Sequence, residues 1–115
     1  MKTIEEIGKL THSERHLLAE LKQVVLRVAP SAVLLLYGSA ARGERGPESD
    51  YDVLAIVEAP LPAGELEAIS NSVYELELAY GIVISVAVYT LEQWNSPLMR
   101  VSPYHRSVEK EAVLI

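Results

Sequence analysis

Two apolar runs joined by a short polar stretch constrain this 115-residue chain more than any other feature. Ala32-Val33-Leu34-Leu35-Leu36-Tyr37 leads into Gly38-Ser39, and ten residues later Asp50-Tyr51-Asp52 opens the run Val53-Leu54-Ala55-Ile56-Val57. Each run has the length and composition of a buried strand, so the Gly-Ser pair and the Asp pair fall at the ends of two adjacent strands. A glycine at position 38 lets backbone N–H groups approach a phosphate with no Cβ in the way, and Ser39 adds a hydroxyl donor. A short helix beginning at Ser39 would add its free N–H groups and its dipole. Side chains alternate along a strand, so Asp50 and Asp52 project to one face, where they can share a hard cation. Mg²⁺ is typically held by one or two carboxylates together with substrate phosphates, and a two-metal site is compatible with this pair. Arg42 and Arg45 are read as lying in the connecting loop, placed to neutralise triphosphate charge. The combination reads as a site for ATP or another nucleoside triphosphate with its metal. A polar hairpin loop explains the Gly, Pro and Ser of 43–50 equally well, but leaves the second charge at Asp52 unaccounted for.

The chain has the size of one domain, 1–115, and half of its residues are hydrophobic, which is globular rather than disordered composition. A net charge of −6 argues against a broad basic footprint for nucleic acid, including RNA ends. With no cysteine there is neither a disulfide framework nor a thiolate metal site. The N-terminus lacks the build of a signal peptide, and no apolar run approaches the ~18 residues that span a membrane. A cytoplasmic protein with no membrane partner is expected. The sequence leaves homo-oligomerisation open.

The first helix is expected to start near Ser13 as N-cap and to run, with Leu17, Leu18, Leu21, Val24, Val25 and Val28 at helical spacing, until Pro30. Residues 3–10 read as a shorter helical turn. Leu66, Ile69, Val73, Leu76 and Tyr80 stripe a second helix that Gly81 ends. Residues 82–89 are apolar on both faces, the pattern of a central, covered strand. Thr90 with Gln93, Ser96-Pro97 and Ser102-Pro103 read as starts of short helices. The order helix, strand, strand, helix, strand, helices predicts an α/β fold with a small mixed sheet flanked by helices.

Tyr37-Gly38-Ser39-Ala40-Ala41-Arg42-Gly43 followed by Ser49-Asp50-Tyr51-Asp52-Val53-Leu54 resembles the signature of the polymerase β-type nucleotidyltransferase superfamily, and within it the minimal nucleotidyltransferase (MNT) group. The likeness extends, less specifically, to the strand at 82–89 and to Ser102–Glu111. It implies the polymerase β-like fold, Asp50 and Asp52 as catalytic metal ligands, and Gly38, Ser39 and Arg42 as nucleotide-binding residues. It further implies AMP transfer from ATP to a hydroxyl of a partner protein. Many MNT proteins are antitoxins encoded beside a helical HEPN-domain toxin, which is the partner that the resemblance implies.

Active members of that superfamily generally carry a third carboxylate on a neighbouring strand. The matching strand here, 82–89, contains no Asp or Glu, and its one polar residue ahead of the terminal tyrosine is Ser85, read as a small core residue. Glu75 and Glu77 on the preceding helix and Glu92 beyond the strand are the available replacements. The departure leaves two alternatives, a working transferase or a nucleotide-binding module that neutralises its partner by direct binding. His12 and His16 read as surface residues outside any metal site, the spacing of Arg100 and His105 reads as coincidence, and Trp94 and Tyr104 fit either core or a partner surface.

Overall fold

A computed structural model of the chain describes residues 1–8, 10–44 and 50–115. Four strands, β1 (Val33–Tyr37), β2 (Tyr51–Val57), β3 (Ile84–Thr90) and β4 (Val113–Leu114), form a sheet in the order β3-β2-β1-β4. β1 runs antiparallel to β2 and to β4, whereas β2 and β3 are parallel. The parallel pair requires a crossover, and the helix α3 (Ala63–Tyr80) provides it.

The helix α1 (His12–Val28) begins two residues earlier than the apolar stripe alone predicts. Its N-cap is Thr11, not Ser13: the Thr11 hydroxyl accepts the Glu14 N–H at 3.1 Å, and the Glu14 carboxylate accepts the Thr11 N–H at 3.1 Å. This reciprocal capping box satisfies two helix-end donors at once, an advantage that a cap at Ser13 lacks. His12 consequently lies in the first turn rather than outside the helix. It is exposed, as is His16, which pairs with Glu20 at 2.8 Å. A 3-10 turn at Ile4–Glu6 precedes α1. α3 ends at Gly81, whose φ of +66° supplies the left-handed cap.

Alternation along the strands sorts side chains into two cores. On one face, Leu34, Leu36, Val53 and Ala55 pack against Leu17, Leu18, Leu21 and Val25 of α1 and Ile69, Val73 and Leu76 of α3. The other face is covered by three short helices, α4 (Leu91–Trp94), α5 (Pro97–Arg100) and α6 (Pro103–Glu111). There Leu35, Leu54, Trp94 and Val108 are buried, with Tyr37, Tyr89 and Tyr104 against them. Thr90, Ser96 and Ser102 cap the three helices as their sequence predicts, the last two with proline in the first turn.

Two expectations are corrected. Residues 84–90 form an edge strand, with a neighbour on one side only, not a central one. Apolar residues on both faces report that both faces are covered, by α3 on one side and the aromatic helices on the other, and carry no information on how many strands lie alongside. β4 is the other difference: two residues after α6 return to pair with Leu35 and Leu36, too short a run for a period to register.

Candidate nucleotide site

The polar groups gather at one end of the sheet because β1 and β2 are antiparallel neighbours: the end of β1 lies beside the start of β2. Tyr37 is the register partner of Asp52, and on the other side of β2 Asp52 is opposite Ser85. The three side chains therefore share the face covered by α4–α6. Asp50 lies two residues before Asp52 and is exposed, whereas Asp52 is half-buried.

Gly38 is required here for two reasons. Its φ is +73°, and a Cβ placed on it would stand 2.5 Å from Oδ2 of Asp52. The turn and the carboxylate are thus in van der Waals contact through the missing side chain. From Gly38 the chain enters the helix α2 (Gly38–Arg42) directly, and Tyr37, at the N-cap, makes no side-chain capping bond. The helix ends at Gly43, also left-handed at φ +72°. The sequence reading of a Gly-Ser turn opening a short helix thus corresponds to the fold, with the helix starting one residue earlier.

Arg42 belongs to the last turn of α2, not to a loop. Its Nε donates to Glu44 at 2.9 Å and its Nη1 to Glu111 at 3.0 Å, so both ends of the guanidinium are occupied by carboxylates. These partners raise its pKa further. Arg42 still acts on the site at a distance, since its charge favours ionised Asp52. Arg45 lies outside the described residues, as do 46–49.

The Asp52 carboxyl is raised above the ordinary carboxylate value, first by desolvation and then by the negative charge of Asp50; Arg42 opposes both. Two carboxylates that repel one another beside a glycine turn, with the nearest guanidinium already paired, form a donor set that suits a hard dication. Among the described residues no group of three or more His, Asp or Glu side chains converges in metal-ligand geometry, so the pair is not completed from elsewhere. Ser85 stands where a third ligand would project. It is exposed, which corrects its reading as a core residue: at the open edge of the sheet nothing packs over it. Of the replacement carboxylates, Glu77 accepts the N–H of Ile84 at 2.9 Å, Glu75 is exposed on α3, and Glu92 sits in the first turn of α4. Asp52 pairs with Ser85 and Val57 with Thr90, which puts Glu92 about 17 Å along the strand from Asp52.

A pair of tyrosines adjoins the site, and no local sequence pattern signals it. The Tyr104 hydroxyl donates to the Tyr37 hydroxyl at 3.1 Å, with the rings edge to face at 5.6 Å. Burial, the Tyr37 bond and the charge of Asp52 all push the Tyr104 phenol upward, so it stays a neutral donor. Trp94 packs on Tyr104 and stacks on His105; Trp94 is a buried core residue of the aromatic face, and Tyr104 is half-buried against it. Arg100 donates to the Asn95 carbonyl and forms no site with His105. A cleft of about 680 Å³ lies at the far end of β3, lined by Tyr89, Thr90, Glu92, Gln93, Leu98 and Met99. It contains none of the residues that converge at Asp52.

A mixed four-stranded sheet flanked by helices, with a glycine turn at the end of one strand and an Asp pair at the start of the next, defines the polymerase β-like nucleotidyltransferase fold. Residues 18–115 match the nucleotidyltransferase domain family, and the chain belongs to it. One similar solved structure is described as a minimal nucleotidyltransferase: it is 25% identical with a TM-score of 0.57, over 88% of this chain and 94% of that one. A second is a toxin–antitoxin with AMP-PNP, 16% identical with a TM-score of 0.56, over 84% of this chain and 69% of that one, a likeness of fold. Among proteins of curated function, none matches the sequence.

Proposed function

We propose that this chain transfers a nucleoside monophosphate, AMP from ATP, to a hydroxyl of a partner protein. The partner is a HEPN-type toxin and the chain its antitoxin, both in the cytoplasm. The observation that carries the reading is the contact of Gly38 with Asp52, which sets a phosphate turn against a carboxylate pair within one nucleotide's reach. The family, and the AMP-PNP of the toxin–antitoxin neighbour, support the choice of nucleotide.

Gly38 and Ser39 would bind the β- and γ-phosphates through the backbone at the start of α2, and Asp50 and Asp52 would hold Mg²⁺, as one or two ions. Mg²⁺ bound there neutralises charge on the attacking and leaving oxygens. Arg42 exchanges Glu44 for a phosphate oxygen while Glu111 keeps it in place. The acceptor oxygen bonds to the α-phosphorus, the bond between the α- and β-phosphates breaks, pyrophosphate leaves and the acceptor proton passes to solvent. Tyr37 and Tyr104 fix the wall beside Asp52 and exclude water from it.

A second reading has its own observation. The residue in register with Asp52 on β3 is Ser85, and no carboxylate among the described residues replaces it. A module that binds nucleotide and neutralises its partner by occlusion fits that site. Incubation with α-³²P-ATP, Mg²⁺ and the protein encoded beside this chain separates the readings, with the Asp50→Asn, Asp52→Asn double variant as control. Transfer predicts a labelled partner with the native chain and none with the variant. A partner left unlabelled yet inhibited equally by both proteins would establish occlusion.

A further inference from the structure

We infer that the open edge of β3, together with the outer face of α3, is the surface on which the partner docks, and that it receives an extended segment bearing basic and apolar side chains. The inference rests on the proposed function for the identity of the partner, but not for the surface.

Charge is the first observation. Between Gly46 and Met99 there is no Lys, Arg or His, while nine of the sixteen carboxylates fall there. Every basic group of the chain lies before or after that stretch, so neither β3 nor α3 carries a basic side chain. On the exposed side of α3, Glu67 and Glu75 project beside Tyr74 and Leu78, which are 60% and 66% exposed, and Val83 follows in the connection to β3. Isolated exposed apolar residues need no explanation, but here they share a helix with Ile69 and Val73, which together with Val86 and Val88 of β3 floor an open groove of about 380 Å³.

Backbone is the second. β3 is seven residues long and has a strand on one side only; Glu77 takes the Ile84 N–H and Gln93 the Thr90 N–H, so an added strand would pair along the stretch between them. A second copy of this chain is the wrong occupant for such an edge in an isologous pairing, since the same acidic surface would face itself. A basic segment is complementary to it.

The location also gives the docking a consequence. Strands lie about 4.8 Å apart, so a segment added to β3 would run about 10 Å from the strand that carries Asp52. Ser85, exposed on β3 and in register with Asp52, would lie between them. A hydroxyl-bearing side chain of the docked segment then reaches the carboxylate pair across a residue too small to block it.

The test uses the protein encoded beside this chain as the probe and a Glu75→Lys, Leu78→Lys double variant, both positions being exposed and free of core packing. Calorimetry should show affinity reduced by about tenfold or more, with MgATP binding unaltered, and affinity of the native chain should fall as salt rises. Amide hydrogen exchange should show residues 84–90 protected when the partner is added. Unchanged affinity in the variant, protection on α1 instead of β3, no binding by the native chain, or sedimentation showing self-association through this edge would each overturn the surface. Full labelling of the partner by the double variant would overturn docking while sustaining transfer. Binding at β3 without labelling would do the reverse.

Discussion

The two faces of the sheet are built from alternate residues of the same strands, yet one is closed by aliphatic packing and the other carries the half-buried Asp52 carboxylate. Val53 and Ala55 of β2 point into aliphatic packing between the sheet and two long helices, with Leu18, Leu21 and Val25 fully enclosed. Asp52, Leu54 and Ile56 alternate with them and point to the other side, where three short helices bring Trp94, Tyr104 and His105 into an aromatic cluster with Tyr37 and Tyr89. Long amphipathic helices cover a face completely, because each turn contributes apolar residues to the same stripe. Helices of four to nine residues cannot, and they leave Asp52 only half-buried and Ser85 exposed. Aliphatic packing is thus concentrated on one face and the polar groups of the candidate site on the other.

Four substitutions test that division. Leu18→Ala on the packed face should cost about 3 kcal/mol, because Leu18 has no exposed surface and its neighbours on α1 and the sheet cannot collapse into the void. Urea unfolding should read the loss, with transfer activity per folded molecule intact; a drop in activity alone would break the comparison. Gly38→Ala should cost about 2 kcal/mol, from the left-handed backbone and the clash with Asp52 Oδ2, and unlike Leu18→Ala it should also abolish MgATP binding. Calorimetry against MgATP distinguishes the two.

Tyr104→Phe should cost about 1 kcal/mol, removing one half-buried hydroxyl bond while keeping the ring contacts with Tyr37, Tyr89 and Trp94. If the loss instead equals that of Leu18→Ala, the aromatic face is as tightly held as the aliphatic one. The smallest effect has the opposite sign. Asp52 titrates above the ordinary carboxylate value in the fold, so the folded state binds a proton more readily there than the unfolded chain does. The associated stability is present below pH 3.8 and is lost as pH rises through the folded value. Asp52→Asn should therefore raise the melting temperature by roughly 1–3 °C at pH 7 without divalent cation, with no gain at pH 3. A variant less stable than the native chain at pH 7 would show that Asp52 supports the fold rather than burdening it.

Much of this division was legible in the sequence. The capping and terminating signals at Thr90, Ser96, Ser102 and Gly81 act within a few residues and so survive any tertiary context. The Gly-Ser and Asp-x-Asp groups were legible for the same reason, each being defined by local backbone chemistry. The role of Thr11 was masked by Ser13, an equally good residue two places later, until the reciprocal bond to Glu14 decided between them. The edge position of β3 and the exposure of Ser85 follow from strand order, which hydrophobic pattern does not encode.

By itself, the sequence determined which residues alternate, where helices start and stop, and that a glycine turn and a carboxylate pair end and begin successive strands. Only the tertiary structure decided that Asp52 sits between Tyr37 and Ser85, that Glu111 holds Arg42 from 69 residues away, and that Tyr104 closes over Tyr37. The physical reason is range. Periodicity and capping are set by neighbours within one or two turns, whereas register and cross-sheet hydrogen bonds form between residues that the chain brings together only after the whole sheet has assembled.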